Sequence, residues 1–336
     1  MAHPLRKKPI AGHRRDVPPP PSWPSFTGTA QFVGTSPSGR VTVFVDPTLG
    51  PPGLQNAQDL VNDADRVVQA NDDIFGTTDG SVSVIVFALD GQTDGTGGAD
   101  HMGCDFETGS AIEVCAAFGN SGRVSALFEA ELSECCMGGN LCGASTGEGL
   151  SRWCAAVIGD NALSDFATAP TWFQDGARNF VDTTDPTDTN PDSTGCTMAF
   201  MSWLMSQGQA LKDIAQEMVQ LGDSGTLAQL YAQLTGDGAS KAWPTFIAAV
   251  RALPGGVTSD DPFGGGPQPV AQLDAATIAV AAKVFSAIMA DVAAGKTADQ
   301  IVAHVRPLLG SARASKSCSG ACGDGKSHRL LRPDRK

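Results

Sequence analysis

The feature that most constrains the fold is the apolar run at 81–89, whose β-branched residues are typical of a buried strand. A second run of this kind, at 40–46, precedes a helical pattern over roughly 51–74. A weaker extended stretch follows at 111–118. Strand, helix and strand in this order predict a small sheet with a helix on one face.

The second half of the chain has apolar residues at helical spacing. Six helices are predicted there, at 123–137, 147–159, 195–207, 210–221, 226–234 and 241–252. We therefore expect an α+β fold. A small N-terminal sheet with a helix comes first, then a mostly helical half, and last a C-terminal helical hairpin.

Composition divides the chain into five parts. Proline, glycine and basic residues are concentrated outside the regions with clear periodicity. The predicted parts are a disordered Pro-rich and basic linker at 1–26, an α+β globular domain at 27–253, a Gly/Pro linker at 254–271, a helical hairpin at 272–311 and a disordered basic tail at 312–336.

The charge distribution excludes one class of partner. Residues 17–310 carry 11 basic and 33 acidic groups, a net charge of −22, which repels phosphate backbones. We therefore expect no binding of nucleic acid. No apolar run approaches the roughly 18 residues that span a bilayer, and no secretory signal is evident at the N-terminus. The substrate or protein partner stays open.

Cysteine is concentrated in one region. Seven of the nine cysteines fall within 104–196, and no Cys-x-x-Cys pair typical of zinc sites occurs. This density predicts at least two disulfides or close cysteine pairs there. It also favours an oxidising or extracellular compartment.

One predicted helix places a carboxylate among apolar side chains. At 100° per residue, Glu131 falls between Leu127 and Val124 in the apolar arc. Glu134 lies at the edge of that arc, and Glu129 lies on the far side and is expected to face away. A buried carboxylate needs a partner, and burial raises its pKa towards the range useful in acid–base catalysis. Glu131 therefore either joins a buried arginine or backbone amides, or serves as a catalytic group.

A second set of candidates begins at Ser145. Ser145 and Glu148 have the spacing of a capping box, and Glu148 and Arg152 have that of an ion pair along a helix. Both patterns have structural explanations, yet Glu148 and Arg152, with Trp153 beside them, are also candidates to bind or orient a substrate. The Gly-x-Ser-x-Gly pattern at 143–147 is not a nucleophile elbow, because no strand leads into it.

The Gly- and Asp-rich loop at 90–104 contains His101, the one histidine expected in the globular body near these carboxylates. It is a candidate catalytic group or metal ligand, although a lone loop histidine is commonly just solvated. With Glu134 and Glu148 it would complete a site for one divalent metal, zinc or calcium. Aspartates in this loop and at 182–192 also suggest calcium, but neither segment has EF-hand spacing.

These segments together resemble a bacterial protein family to which no activity is assigned. Its motifs correspond here to Gly-Gly-Ala-x-His-x-Gly-Cys at 97–104, Glu-x-Ser-Glu at 131–134 and Gly-Glu-x-Leu-Ser-Arg at 147–152, and the resemblance spans about 28–253. The order of elements also resembles a zincin metallopeptidase, in which one helix carries a catalytic glutamate and a second donates a glutamate ligand. The zincin helix has His-Glu-x-x-His, whereas 130–134 is Ala-Glu-Leu-Ser-Glu, so both histidines are missing.

Three functional hypotheses follow. The first is a peptidase-like hydrolase of zincin-like ancestry, with a rebuilt site in which Glu131, Glu134 and His101 are catalytic. The second is a non-catalytic binding or structural module on the same scaffold. The third is a glycoside hydrolase with paired carboxylates, for which Trp153 and Trp172 are the nearest sugar-stacking aromatic residues.

The substitution Glu131→Gln separates a structural from a catalytic role. A structural Glu131 in a buried ion pair predicts a loss of about 3–5 kcal/mol on substitution. A catalytic Glu131 predicts unchanged or higher stability together with loss of activity. The sequence by itself favours the loss of stability.

Overall fold

The computed structural model describes residues 18–108 and 110–266, together with six separate residues between 287 and 304. The chain divides into two units, Met1–Gln268 and Pro269–Lys336. Most of the predicted hairpin at 272–311 and the whole basic tail lie outside the described residues. Among the helices that are described, none is long and apolar enough to cross a membrane.

The N-terminal sheet has a parallel centre and two antiparallel edges. Its strands are β1 (Gln31–Thr35), β2 (Val41–Val45), β3 (Val82–Phe87), β4 (Ala99–His101) and β5 (Ala111–Cys115), in the spatial order β1-β2-β3-β5-β4. Strand β3 is parallel to both of its neighbours, β2 and β5, whereas β1 and β4 are antiparallel to theirs. The apolar run that predicted a buried strand is therefore at the centre of the sheet, as expected.

Helix α1 (Gly50–Phe75) connects β2 to β3, because parallel strands need a crossover. Pro51 and Pro52 fall in its first turn, where a missing N–H is tolerated, and Gly76 ends it in a left-handed conformation with φ 74°. Its apolar stripe packs on alternate residues of the strands. The buried strand residues on this face are Val41, Val43, Val45, Val82, Val84, Val86, Ile112 and Val114.

The opposite face of the sheet is covered by the N-terminal segment 23–32. Trp23 packs edge-on against Phe44, with ring centroids 5.6 Å apart, and Phe26 does the same against Phe87 at 5.2 Å. These aromatic pairs remove the outer face of β2 and β3 from water.

A buried carboxylate explains why this segment is fixed. Glu113, on β5, has no exposed surface. Its carboxylate accepts hydrogen bonds from Ser25 N (3.0 Å), Ser25 Oγ (2.6 Å) and Phe26 N (2.6 Å). A buried carboxylate requires such donors. The predicted disordered linker 1–26 is therefore too long at its C-terminal end, since 23–26 belong to the folded unit.

The second half of the first unit is helical, as predicted. Its helices are α2 (Ser121–Cys136), α3 (Ser145–Ile158), α4 (Ala169–Gln174), α5 (Pro191–Ser206), α6 (Leu211–Leu221), α7 (Leu227–Thr235) and α8 (Ala242–Arg251). Aromatic stacking dominates their core: Trp172 stacks on Phe246 at 5.7 Å and Trp203 on Tyr231 at 5.6 Å. Together with the sheet, these helices confirm the α+β fold class. The sequence missed α4, whose six residues are too few to show a helical period.

Residues 254–266, predicted as part of a linker, pack on this helical core. The Asp260 carboxylate accepts hydrogen bonds from Thr168 N (2.8 Å) and Ala169 N (2.7 Å), and Val257 is buried. Glycine and proline here shape an ordered turn rather than a spacer, because these contacts fix the segment on the core.

One disulfide, between Cys104 and Cys142, is present among the described residues, with the two Cα atoms 5.8 Å apart. The sequence predicted at least two disulfides or close cysteine pairs in this region, and this disulfide is one of them. Cysteines that are buried as free thiols are Cys115, Cys136, Cys154 and Cys196. Burial raises the pKa of the Cys136 and Cys196 thiols to about 12. These cysteines act as small apolar residues in the core.

We expect the double substitution Cys104→Ser/Cys142→Ser to lower the free energy of unfolding by about 3–4 kcal/mol. The reason is that the disulfide closes a loop with a sequence separation of 38 and so restricts the unfolded chain. Guanidinium denaturation with and without a reductant measures the effect. The reductant should shift the midpoint of the wild type but not that of the double variant. Equal midpoints for the oxidised wild type and the variant would contradict the prediction.

Candidate functional site

The candidate site is built around His101, which β4 places at the edge of the sheet. Strand β4 is antiparallel to β5, so that His101 is opposite Ile112. The loop before β4 requires glycine at Gly97, because a Cβ atom there would lie 2.2 Å from Cys115 Sγ. The sequence gives β4 no strand pattern. It is extended because the edge of β5 offers hydrogen-bonding partners.

Helix α2 brings two glutamates to this histidine. The helix starts at the N-cap Asn120, whose side chain accepts a hydrogen bond from Arg123 N. Two turns further on, Glu131 and Glu134 share one face of the helix. His101 Nε2 is 2.8 Å from Glu134 Oε2 and 3.8 Å from Glu131 Oε2. Between 10% and 17% of each of these three side chains is exposed.

Helix α3 contributes Glu148 and Arg152. The predicted capping box is wrong, because Ala144 is the N-cap and Ser145 is already the first residue of the helix. Glu148 is therefore not needed as a cap. Its Oε1 lies 3.6 Å from Arg152 Nη1, as the i, i+4 spacing predicted.

A cleft of about 340 Å³ lies beside this cluster. Glu131, Glu148 and Arg152 line it. Apolar side chains complete the lining: Ala99, Leu127, Ala130, Leu163 and Phe166. Carboxyl groups, a guanidinium group and an apolar wall thus face one space, an arrangement typical of small-molecule sites.

The carboxyl groups in the cleft have raised pKa values. Burial, together with the charges of Glu134, Glu148 and Asp100, raises the pKa of Glu131 well above its ordinary 4.5. Burial and the Glu134 charge raise the pKa of Glu148 to about 7, although Arg152 opposes the change. At neutral pH the cleft therefore contains exchangeable protons.

His101 keeps its proton more tightly than an exposed histidine. Burial by itself would lower the pKa of His101, but the hydrogen bond to Glu134 and the charges of Glu134 and Asp100 raise it overall. Its Nε2 is held by Glu134, whereas its Nδ1 is buried and has no hydrogen-bonding partner among the described residues.

The resemblance to zincins implies a metal, and the donor set does not fit one. Three ligands of one zinc ion must converge to about 2.0–2.2 Å from a single point. Within the part of the chain that the structure describes, no group of three or more His, Cys, Asp or Glu side chains can hold a metal ion. His101 and Glu134 are joined by a hydrogen bond, and Glu148 pairs with Arg152. The zinc or calcium site expected from His101, Glu134 and Glu148 is therefore not formed.

Trp153 is absent from the site, contrary to expectation. It has no exposed surface, and its Nε1 donates a hydrogen bond to Met205 Sδ at 3.0 Å in the helical core. The reason is geometric, because five residues after Glu148 an α-helix has turned by roughly 140°. Trp153 is therefore a core residue.

Glu129 also differs from expectation, since it is completely buried rather than facing away. Asn71 Nδ2 donates to Glu129 Oε2 at 2.7 Å, and Ser133 Oγ donates to Glu129 Oε1 at 3.0 Å. Burial raises the pKa of Glu129 to about 8. A helical wheel with one apolar arc missed this, because α1 covers a second face of α2.

Two further parts of the site are not predicted from the sequence: Ser151 and the turn that carries Leu163 and Phe166. Ser151 is buried, and its Oγ donates to Glu134 Oε1 at 3.0 Å. Ser151 comes three residues after Glu148, so a helical wheel of α3 places the two side chains on the same face of the helix. The turn has no periodic pattern, so only the structure places Leu163 and Phe166 in the cleft.

Comparisons with known proteins add little. No family model and no curated protein sequence matches this chain. A mutant M1 zinc metallopeptidase from Deinococcus radiodurans is similar in structure, with 13% identity and a TM-score of 0.37 over 65% of this chain and 52% of that one. Yeast LTA4 hydrolase in complex with bestatin has 12% identity and a TM-score of 0.35 over 78% of this chain and 44% of that one. The chain thus matches about half the length of each, and likeness at this level carries no argument.

Proposed function

We propose that this protein is a hydrolase that uses Glu131 and Glu148 as an acid–base pair without a bound metal. One observation carries the proposal: both carboxyl groups line one cleft and both have raised pKa values, that of Glu148 being about 7. A group whose pKa lies near the working pH transfers protons most effectively. Two neighbouring carboxyl groups also favour a state in which one of them keeps its proton.

In the proposed mechanism, Glu148 is the general base and Glu131 the general acid. A water molecule gives a proton to Glu148 while its oxygen bonds to the acyl carbon of an ester or amide. Arg152 stabilises the negative charge on the carbonyl oxygen. Glu131 then protonates the departing oxygen or nitrogen as the bond to the acyl carbon breaks. Return of the proton from Glu148 to Glu131 restores the starting state.

His101 and Glu134 are positioning residues in this proposal. Glu134 is held between His101 Nε2 and Ser151 Oγ, so its carboxylate is fixed beside Glu131. Its negative charge helps to raise the pKa of Glu131. The order of elements and the sequence at 130–134 lead us to infer a zincin-like ancestry in which the metal has been replaced by proton transfer between carboxyl groups.

The alternatives are weaker on specific grounds. A glycoside hydrolase usually offers aromatic side chains that stack on sugars, and the two candidates from the sequence, Trp153 and Trp172, are both buried in the helical core. Phe166 does line the cleft, but its ring already stacks on the Arg123 guanidinium group. A non-catalytic module would have no use for two carboxyl groups with raised pKa values in one cleft, because a raised carboxyl pKa lowers the stability of the fold at neutral pH.

We expect the purified protein to hydrolyse activated esters or amino-acid anilides and Glu148→Gln to reduce kcat/KM by about 10²–10⁴-fold. The base must be ionised, so kcat/KM should fall as the pH drops below about 7, the pKa of Glu148. The acid must be protonated, so kcat/KM should also fall at high pH.

The control for this variant is Glu107→Gln, which alters an exposed glutamate outside the cleft. A metal chelator should leave the activity unchanged. Inactivation by the chelator would disprove the metal-independent mechanism. No hydrolysis of any probe at any pH would leave the binding module as the function.

A further inference from the structure

One wall of the cleft is formed by the segment 160–166, called here the wall segment. It follows α3 through two residues in the left-handed region, Asp160 (φ 52°) and Asn161 (φ 57°). These residues reverse the chain, and a short 3₁₀ turn at Ser164–Phe166 follows. As a result, Leu163 and Phe166 line the cleft together with residues from α2 and α3.

A buried arginine on α2 fixes the wall segment. Arg123 is 4% exposed, and its Nη1 and Nη2 donate to the two Asp165 carboxylate oxygens at 2.5 and 3.0 Å. Its Nη1 also lies 3.4 Å from Ala162 O, and its Cζ lies 4.6 Å from the centre of the Phe166 ring. The bidentate ion pair with Asp165 and the stacking of the guanidinium group on the Phe166 ring hold the wall segment in one orientation.

A second arginine holds the same segment from α3. Arg152 Nη2 donates a hydrogen bond to Phe166 O. The backbone and the ring of Phe166 are thus each held by a different helix. The apolar wall is therefore formed before any ligand arrives, which removes an ordering cost from binding.

The side chains that line the cleft determine which substrate group can bind beside the reacting carbonyl group. Glu131, Glu148 and Arg152 provide its polar groups, and the wall segment adds Leu163 and Phe166 to the apolar side chains of α2. A volume of about 340 Å³ is at the lower end of the range for small-molecule sites. This leaves room for one apolar side chain next to a carbonyl group.

We propose that Leu163 and Phe166 are specificity-determining residues, which select acyl substrates with a medium-sized apolar side chain next to the reacting carbonyl. The proposal rests on the hydrolase function above. A pocket of this kind discriminates by about 10–200-fold per group that it accepts or rejects. We expect an isobutyl side chain to bind at least about 10-fold more tightly than a hydrogen atom at the same position.

The test compares two ligands, N-acetyl-leucine amide and N-acetyl-glycine amide, by titration followed by NMR. Binding is measured in the wild type and also in Glu131→Gln, in which hydrolysis is expected to be too slow to interfere. Phe166→Ala and Leu163→Ala should each reduce the leucine preference several-fold. Phe118→Ala, which changes an aromatic residue that is 40% exposed and does not line the cleft, should keep the preference. Circular dichroism shows that each variant is folded.

The outcomes separate this inference from the proposed function. Equal affinity for the two ligands in the wild type would overturn the inference, as would a preference that survives in both folded cleft variants. A leucine preference that is lost in those variants supports it, even if no probe is hydrolysed. In that case the proposed hydrolase function is wrong, whereas the apolar subsite is still supported.

Discussion

Glu131→Gln is expected to reduce kcat/KM by about 10²–10⁴-fold. It should also leave the free energy of unfolding at pH 7 within about 1 kcal/mol of the wild type, or raise it. Burial, with the charges of Glu134 and Glu148, keeps the pKa of Glu131 well above 4.5, which favours its neutral, protonated form. Glutamine has the same charge as this form and nearly the same shape. Within the described residues the one basic nitrogen within 4.0 Å of the Glu131 carboxyl group is His101 Nε2, at 3.8 Å, so no pair with arginine is broken.

Urea denaturation and ester hydrolysis, measured on the same preparations, test both parts of this prediction. Glu107→Gln is the control again, because it removes a negative charge from an exposed glutamate. The sequence alone favoured a loss of about 3–5 kcal/mol, the result of breaking a buried ion pair. A loss of that size would show that Glu131 is structural and would rule out its role as the acid.

Glu129→Gln is expected to stabilise the protein by about 3–5 kcal/mol at pH 8. Burial raises the folded-state pKa of Glu129 to about 8 from an ordinary 4.5. Between these values the unfolded chain releases a proton that the folded chain keeps, so the stability from this group falls as the pH rises. Below pH 4.5 both states are protonated, and the full stability is present. Glutamine cannot ionise, so the variant should lack this loss.

Denaturation midpoints of the wild type and Glu129→Gln from pH 4 to pH 9 measure this effect. Glu131, Glu148 and His101 titrate in both proteins, so the difference between the two curves belongs to Glu129. Glu129→Ala is the matched control. Alanine cannot ionise either, so the midpoint of Glu129→Ala should follow the same pH dependence as that of Glu129→Gln, but lie lower at every pH because the hydrogen bonds from Asn71 and Ser133 are lost. Parallel curves for wild type and Glu129→Gln would refute the raised pKa.

Helices and strands with strong periodicity were predictable because their patterns are local. The apolar run that became β3 and the long helical pattern that became α1 are close to their observed positions. β4 and α4 were missed because three and six residues are too few for a period to show. Both depend on contacts with distant segments, such as the pairing of β4 with β5.

Burial was harder to predict than helix position. A helical wheel assumes that one arc of a helix is buried, but α2 is covered on more than one side, so Glu129 is inside. Trp153 was assigned to the site because it is adjacent to Arg152 in sequence, whereas neighbours in a helix point about 100° apart. Only the packing of α3 on the helical core shows which side chain faces the cleft.

The sequence by itself determined the order of the elements and the residue types that could carry chemistry. Glu131 and Glu134 had to share a face of one helix, and Glu148 and Arg152 had to share a face of another, because helical geometry fixes such spacings. The tertiary structure decided that His101 meets Glu134 at 2.8 Å and that these groups do not form a metal site. It also decided which cysteines pair and which carboxyl groups are buried. Those outcomes depend on contacts between residues that are tens of positions apart, and local periodicity contains no information about them.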